Sequence, residues 1–273
     1  MYIIRIAALG ILQGITEFLP ISSSGHLIIL PKVFGWEDQG LAVDIFLHMG
    51  TLLALLTYFH KDIIDICINK KKQLLLTSIC LASVPVILIG YSFSDFFASG
   101  EGIRSMYFVA MTLIIGAVIL LVANNFYVKK RQEEKPTKSL EDMGFLQILY
   151  VGLMQILAYF PGVSRSGITI AGGLFTGISR SDSARLSFLV GIPVILGLGT
   201  IGVIKQVFLD PASGSNVMGD IDGVALAVGF FCSYISGYLA IDFLIKFLQR
   251  ASLLGFVIYR LILGVVLIYL TLV

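Results

Sequence analysis

Charge is what this chain has least of. Only 13% of its 273 residues are Asp, Glu, Lys or Arg, against about 25% in a soluble domain. Together with a mean hydropathy of +0.95, this leaves little room for a soluble domain anywhere along the chain. The net charge of +2 is small and points to no nucleic-acid partner. Cysteine is scarce too. Cys67, Cys80 and Cys232 show no CxxC or His-partnered spacing, so no metal site is expected and all three are expected to be buried packing residues. The start, Met1 to Arg5, lacks a basic region followed by a small-residue cleavage site. It is expected to be mature sequence.

What is present is apolar sequence in long runs. A spanning helix needs roughly 20 mainly apolar residues. Six stretches qualify, at about 41–60, 74–92, 107–128, 184–204, 223–244 and 252–272. Two more apolar stretches, 1–30 and 144–178, are each interrupted by a Pro/Ser/Gly cluster. Their halves, roughly 10–15 residues long, are too short to cross the bilayer. They read as re-entrant hairpins, whose irregular backbone is tolerated only inside protein or against a wet cavity. The expected fold is all-α: a polytopic membrane protein of six transmembrane helices plus two re-entrant helical hairpins.

The few charges are unevenly placed. Lys61, Lys70, Lys71 and Lys72 lie in one connection, and Lys129, Lys130, Arg131, Lys135 and Lys138 in another. Lys246 and Arg250 separate the last two spans. The 93–106 and 205–222 connections carry little basic charge but hold Asp95, Glu101, Asp210, Asp220 and Asp222. The positive-inside rule puts the basic connections in the cytoplasm. The first hairpin then enters from outside and the second from inside.

Residues 10–25 read GILQGITEFLPISSSG and residues 152–167 read GLMQILAYFPGVSRSG. They align without a gap, matching Gly10, Gln13, Phe18, Ser22, Ser24 and Gly25 to Gly152, Gln155, Phe160, Ser164, Ser166 and Gly167. The same offset superposes the spans. Each half is therefore one hairpin plus three spans, and an odd number of spans forces opposite orientation. The expectation is one membrane domain, 1–273, of two inverted repeats (about 1–128 and 144–273) joined by a cytoplasmic loop, 129–143. In such architectures the broken segments meet near the midplane.

Glu17, His26 and Arg165 are ionisable groups in segments expected inside the bilayer. A charge there costs about 2.5–3.5 kcal/mol on insertion scales and marks a cavity and a partner. Gln13 lies one helical turn before Glu17, on the same face. The plainer reading is a Glu17–Arg165 ion pair that merely pins the hairpins. It leaves His26 and the loop serines without a reason. A phosphate gives them one. Arg165 offers a planar fork for phosphate oxygens. Ser22, Ser23, Ser24, Ser164, Ser166 and Thr169 offer hydroxyls, and the turns they occupy offer backbone N–H groups. Gly25, Gly162 and Gly167 allow close backbone approach. His26 titrates near neutrality and serves as base, acid or nucleophile. Glu17 can orient His26 or act as a base itself. Arg165, a bound cation or a raised pKa could each offset its repulsion of a diphosphate. A Mg or Ca ion is thus left open as the one cofactor.

Elsewhere, His48 shares a face with Asp44, and a structural role and a site-lining role are equally open. Asp242 is expected to have a packing partner. His60 is expected at a solvated interface, and Arg180, Asp182 and Arg185 at the headgroups. Inverted repeats of broken helices also suit a transporter or flippase for an anionic lipid.

The motifs Gln13-Gly-Ile-Thr-Glu17, Pro20-Ile-Ser-Ser-Ser-Gly-His26 and Pro161-Gly-Val-Ser-Arg-Ser-Gly-Ile-Thr169 resemble those of the bacterial undecaprenyl-diphosphatase (bacitracin-resistance) family. The resemblance covers the whole chain. It implies hydrolysis of undecaprenyl diphosphate to the monophosphate and inorganic phosphate. It implies recycling of the peptidoglycan carrier lipid in the bacterial cytoplasmic membrane, at a site open to the outer face. It implies Glu17, Ser23, His26 and Arg165 as catalytic residues. Gln13 takes the amide option of the family's Glu/Gln-x-x-x-Glu motif and is left a positioning role. Ser22 and Ser23 are not separated as nucleophile by sequence, and a homodimer is left open.

Overall fold

The computed structural model describes residues 2–37, 39–93, 96, 102–133, 138–204 and 223–273. Lys135 and the acidic residues Asp95, Glu101, Asp210, Asp220 and Asp222 lie outside them. Among the described residues the chain is helical, with one isolated bridge, Lys138 to Ile178, and no strand. The first half contains α1 (Tyr2–Phe18), α2 (Ser23–Phe34), α3 (Gly40–Tyr58), α4 (His60–Ile68), α5 (Gln73–Ser92) and α6 (Met106–Gln132). The second contains α7 (Phe145–Met154), α8 (Arg165–Thr176), α9 (Arg180–Ile204), α10 (Gly223–Arg250) and α11 (Leu254–Leu272).

Among the described residues five helices are long and apolar enough to cross a membrane, and six if α3 and α4 count as one span bent by 67°. α3 occupies the 41–60 stretch expected from sequence, and the bend lies at its end. Phe59 leaves helical geometry, and the basic connection that follows is itself helical as far as Ile68. Both predicted hairpins exist as broken helix pairs, α1/α2 and α7/α8. Three arms, of 12, 10 and 12 residues, have the expected length, and α1 is longer, at 17 residues, because no proline precedes Pro20. Pro31 lies inside α2, which continues to Phe34 and ends on Gly35 in the left-handed region.

The helix neighbours correspond between halves. α1 packs on α10 as α7 packs on α5, and α3 packs on α10 as α9 packs on α5. α3 meets its counterpart α9, and α6 its counterpart α11. Small residues set these distances, as is usual where both helices and lipid are apolar. A Cβ built on Gly14 of α1 would come within 2.0 Å of Ser236 Oγ and 2.5 Å of the Ser233 carbonyl on α10. Large apolar side chains such as Leu88, Val122, Ile262 and Leu270 point outward. Lipid is the solvent such a surface fits. The same fact corrects the cysteines: Cys67 and Cys80 are exposed and Cys232 is partly so. An apolar run in a membrane helix does not tell an inward face from a lipid-facing one.

On the basic side, Lys72 bridges Asp65 (2.7 Å) and Glu141 (2.6 Å), tying the first half to the connector. Asp242 has the expected partners, Tyr58 Oη at 3.2 Å and Lys246 at 2.7 Å. His60 is exposed, as expected. Arg185 pairs with Asp62 at 2.6 Å, and Arg180 donates to Asn124 while lying over the Tyr127 ring.

Candidate active site

Each hairpin turns on a serine with an unusual backbone. Ser22 (φ 79°) and Ser164 (φ 73°) are the two non-glycine residues with positive φ among the described residues. A non-glycine residue in that region costs about 1–3 kcal/mol and persists only where the surroundings enforce it. Each serine caps the helix that follows. Ser22 Oγ accepts from Gly25 N, and Ser164 Oγ from Gly167 N. The first-turn N–H groups of α2 and α8 thereby converge on one region, with the positive ends of both helices.

The two turns touch. Gly162 N donates to Ser22 Oγ at 3.1 Å, and Ser166 Oγ donates to the Leu19 carbonyl at 3.1 Å. Arg165 Nη2 reaches across to Glu17 Oε1 at 2.8 Å, while its Nη1 donates to the Ser187 carbonyl. Thr112 on α6 donates to the Pro161 carbonyl. About 140 residues of chain separate the partners, so the meeting of the turns is a tertiary fact that the sequence repeat anticipated.

Glu17 is the hub. Its Oε2 accepts from Ser23 Oγ at 2.5 Å and from Gln13 Nε2 at 3.1 Å, and His48 Nε2 stands 3.6 Å away. Arg165 holds the other oxygen. Ser22 is buried and its oxygen already accepts two N–H groups, whereas Ser23 is half-buried and reachable. Ser24 is likewise half-buried.

His26 departs from expectation. Its ring contacts Ser22 and Tyr259 and not Glu17: Nδ1 faces the Ser22 carbonyl at 2.7 Å and Nε2 faces Tyr259 Oη at 2.7 Å. A carbonyl only accepts, so Nδ1 carries the proton and Nε2 accepts from the tyrosine. The orienting role expected of Glu17 falls instead to one backbone carbonyl and one residue of α11. Ser164, Ser166 and Thr169 were expected to bind substrate, but they are buried. Ser166 spends its hydroxyl on the Leu19 carbonyl, and Thr169 bonds Ser187 Oγ (2.6 Å) and the Arg165 carbonyl. They brace the turn in this structure.

Two residues at the turns, Tyr259 and Arg260, have no counterpart in the sequence reading, whereas His48, for which structural and site-lining roles were equally open, stands beside Glu17. Arg260 is fully buried. It donates to the carbonyls of Pro20 (3.3 Å), Gly162 (2.9 Å), Val163 (2.8 Å) and Leu113 (3.2 Å). One guanidinium therefore ties both turns to α6 and α11. Gly116 makes room for it; a Cβ there would lie 2.0 Å from Arg260 Nη2. A lone arginine inside an apolar run was a legible signal, because such a charge demands partners.

Among the described residues, no three His, Cys, Asp or Glu side chains cluster as metal ligands. Glu17 is one carboxylate, already held by Arg165 and Ser23. Hard cations such as Mg or Ca take six or more oxygens, so these side chains do not build a cage for one.

A family profile described as bacitracin resistance protein BacA matches residues 6–266. A protein named undecaprenyl-diphosphatase from Nitrosococcus oceani is 39% identical over 280 residues, covering 99% of this chain and 99% of its own length. Another of that name from Thermomicrobium roseum is 39% identical over 284 residues, covering 98% and 97%. A third, from Campylobacter curvus, is 39% identical over 279 residues, covering 98% and 99%.

Proposed function

The chain belongs to the bacitracin resistance protein BacA family, and from that premise we propose how its site works. It is a membrane phosphatase that hydrolyses undecaprenyl diphosphate to undecaprenyl phosphate and inorganic phosphate. That reaction returns the peptidoglycan carrier lipid to use and underlies bacitracin resistance. The lipid is its substrate and the bilayer its solvent.

The observation that carries the mechanism is the Ser23–Glu17–Arg165 chain. Ser23 is the accessible hydroxyl at the start of a helix, and its proton already points at a carboxylate. Arg165 and the N–H groups opening α2 and α8 hold the terminal phosphate. Phosphoryl transfer is catalysed mainly by such positioning and charge stabilisation. Ser23 attacks phosphorus and Glu17 takes its proton. His26, with Nδ1 on the Ser22 carbonyl and Nε2 on Tyr259 Oη, serves the same phosphate from the next turn of α2 by exchanging the tyrosine for substrate.

The two halves, about 1–128 and 144–273, form one membrane domain as an inverted repeat, with residues 129–143 cytoplasmic and the site open to the outer face of the cytoplasmic membrane. The paired helix contacts and the lysine distribution support this arrangement. A flippase reading draws on the same broken helices. Phosphate release from undecaprenyl diphosphate in detergent separates the two. The parental protein should release phosphate, and Glu17→Gln and Ser23→Ala should each lose at least ~10²-fold, the scale of one acid–base or nucleophilic group. Folded Glu17→Gln and Ser23→Ala proteins with parental turnover would overturn this site.

A further inference from the structure

His48 is a polar group at the centre of the site that the mechanism above leaves unused. It sits on α3, outside both motifs. Its Nδ1 lies 2.7 Å from the Asp44 carbonyl. That carbonyl can only accept, so Nδ1 carries the hydrogen and the neutral ring keeps its lone pair on Nε2. Nε2 is the atom facing Glu17 Oε2, at 3.6 Å. This is the oxygen to which Ser23 donates. The other neighbour of that oxygen, Gln13, is an amide that donates through Nε2 and cannot accept a proton. His48 is 30% exposed against 6% for Glu17, so its ring reaches the molecular surface where the carboxylate does not.

We propose that His48 receives the catalytic proton from Glu17 and passes it out of the site. This rests on reading Ser23 and Glu17 as nucleophile and base. The O–P bond forms from Ser23 Oγ to the terminal phosphorus. The bond from that phosphorus to the bridging oxygen breaks, and its electron pair leaves with the lipid monophosphate. The Ser23 proton goes to Glu17 Oε2 and then to His48 Nε2, leaving a carboxylate and an imidazolium. Water then hydrolyses the phosphoserine, restoring the hydroxyl and giving hydrogen phosphate, and the imidazolium loses its proton to solvent. One proton is released per turnover. The gap of 3.6 Å must close by a few tenths of an ångström for a hydrogen bond, a tightening common when a site fills.

Other charges do not compete for this role. Of the titratable groups on helices packed against α3, Glu17 lies within ion-pair distance of His48. Asp44 is one turn away on α3 itself and accepts from Gln39. Arg185 and Asp62 pair with each other, as do Lys246 and Asp242.

His48 acts through Glu17 and does not touch substrate, so the test needs more than a rate. Full-length parental, His48→Gln and His48→Ala proteins are assayed in detergent for phosphate release from undecaprenyl diphosphate across pH 5–9. For His48→Gln the expected result is a kcat lower by ~10-fold or more, below the ~10²-fold of a group that takes the proton directly. KM should be nearly unchanged, and the acid-side limb of log kcat should be shallower by one proton. Added imidazole should restore much of the rate of His48→Ala. A purely structural role predicts loss at every pH with no rescue, and that outcome would overturn the proposal. So would a parental rate and limb in His48→Gln. Glu17→Gln and Ser23→Ala run beside them: parental activity there would sink the underlying mechanism, whereas inactivity there with a parental His48→Gln would sink the relay alone.

Discussion

The two hairpin turns share a backbone and divide the chemistry. Both place a positive-φ serine before a 12-residue helix, and both use that serine to cap the third residue onward. At matching positions, however, the first turn has Glu17, Ser23 and His26 where the second has Tyr159, Arg165 and Ile168. In the mechanism proposed above, the nucleophile and its base lie on the first turn and the cation that grips phosphate on the second. Neither turn is a site alone. The repeated backbone supplies two helix starts of the kind that favour anions, and the two turns differ in three side chains at their junction.

The largest expected effect comes from cutting the clamp that the two turns share. Arg260→Met keeps an unbranched apolar stem, shorter than the guanidinium's reach, and leaves the carbonyls of Pro20, Gly162, Val163 and Leu113 without their donor. A buried acceptor stripped of its partner costs about 1–3 kcal/mol. A loss on the order of 3 kcal/mol or more is expected, read as a lower Tm in detergent together with loss of phosphate release. A parental Tm would mean the turns hold themselves together. Next comes Arg165→Lys, which keeps charge on the second turn but loses the fork that spans Glu17 and the Ser187 carbonyl. Activity should fall by at least ~10²-fold with little change in Tm. If lysine sustained turnover, a point charge would suffice there and the planar geometry would be irrelevant.

What the sequence made legible follows the same division. The repeat announced the paired turns, and the intramembrane charges Glu17, His26 and Arg165 announced the site. Periodicity could not show which face of a helix meets lipid, so the cysteines were misplaced. Motif spacing could not show that α3 and α11 close over the turns. At the repeat offset, Tyr259 and Arg260 fall on Ala117 and Val118, so the repeat says nothing about them. His48 belongs to a helix that reads as an ordinary span, and only tertiary packing brings its Nε2 to Glu17. The expected Glu17–His26 contact failed for a local reason. His26 lies one turn into α2, where the nearest acceptor for Nδ1 is the carbonyl four residues back.

The capping serines allow a finer comparison. Ser164 caps its own helix and meets Ser166. Ser22 caps its helix and also accepts from Gly162 of the other turn. Ser164→Ala should cost about 1 kcal/mol, the usual loss for an N-cap hydroxyl. Ser22→Ala should cost about 1 kcal/mol more, since it also strands a buried N–H. Thermal unfolding in detergent reads both. Equal losses would mean the cross-turn bond adds nothing to stability.

The smallest effect is expected at the counterpart of the catalytic carboxylate. Tyr159 occupies in the second turn the place of Glu17 in the first. Its hydroxyl does not enter the site: it donates to the Val86 carbonyl on α5 at 2.5 Å, and its ring tip fills the space left by Gly90. The position that handles a proton in one half has become a brace between hairpin and span in the other. Tyr159→Phe keeps the ring against Gly90 and removes the hydroxyl that bonds the Val86 carbonyl. The expected loss is about 1 kcal/mol in stability, with kcat and its pH dependence within about twofold of parental, the range of a substitution that leaves the site untouched. Glu17→Gln, which changes as few atoms at the matching position, should instead lose turnover with little change in Tm. A Tyr159→Phe protein that kept its Tm but lost turnover would show that the second turn also carries chemistry at this position, and the division of labour between the hairpins would fail.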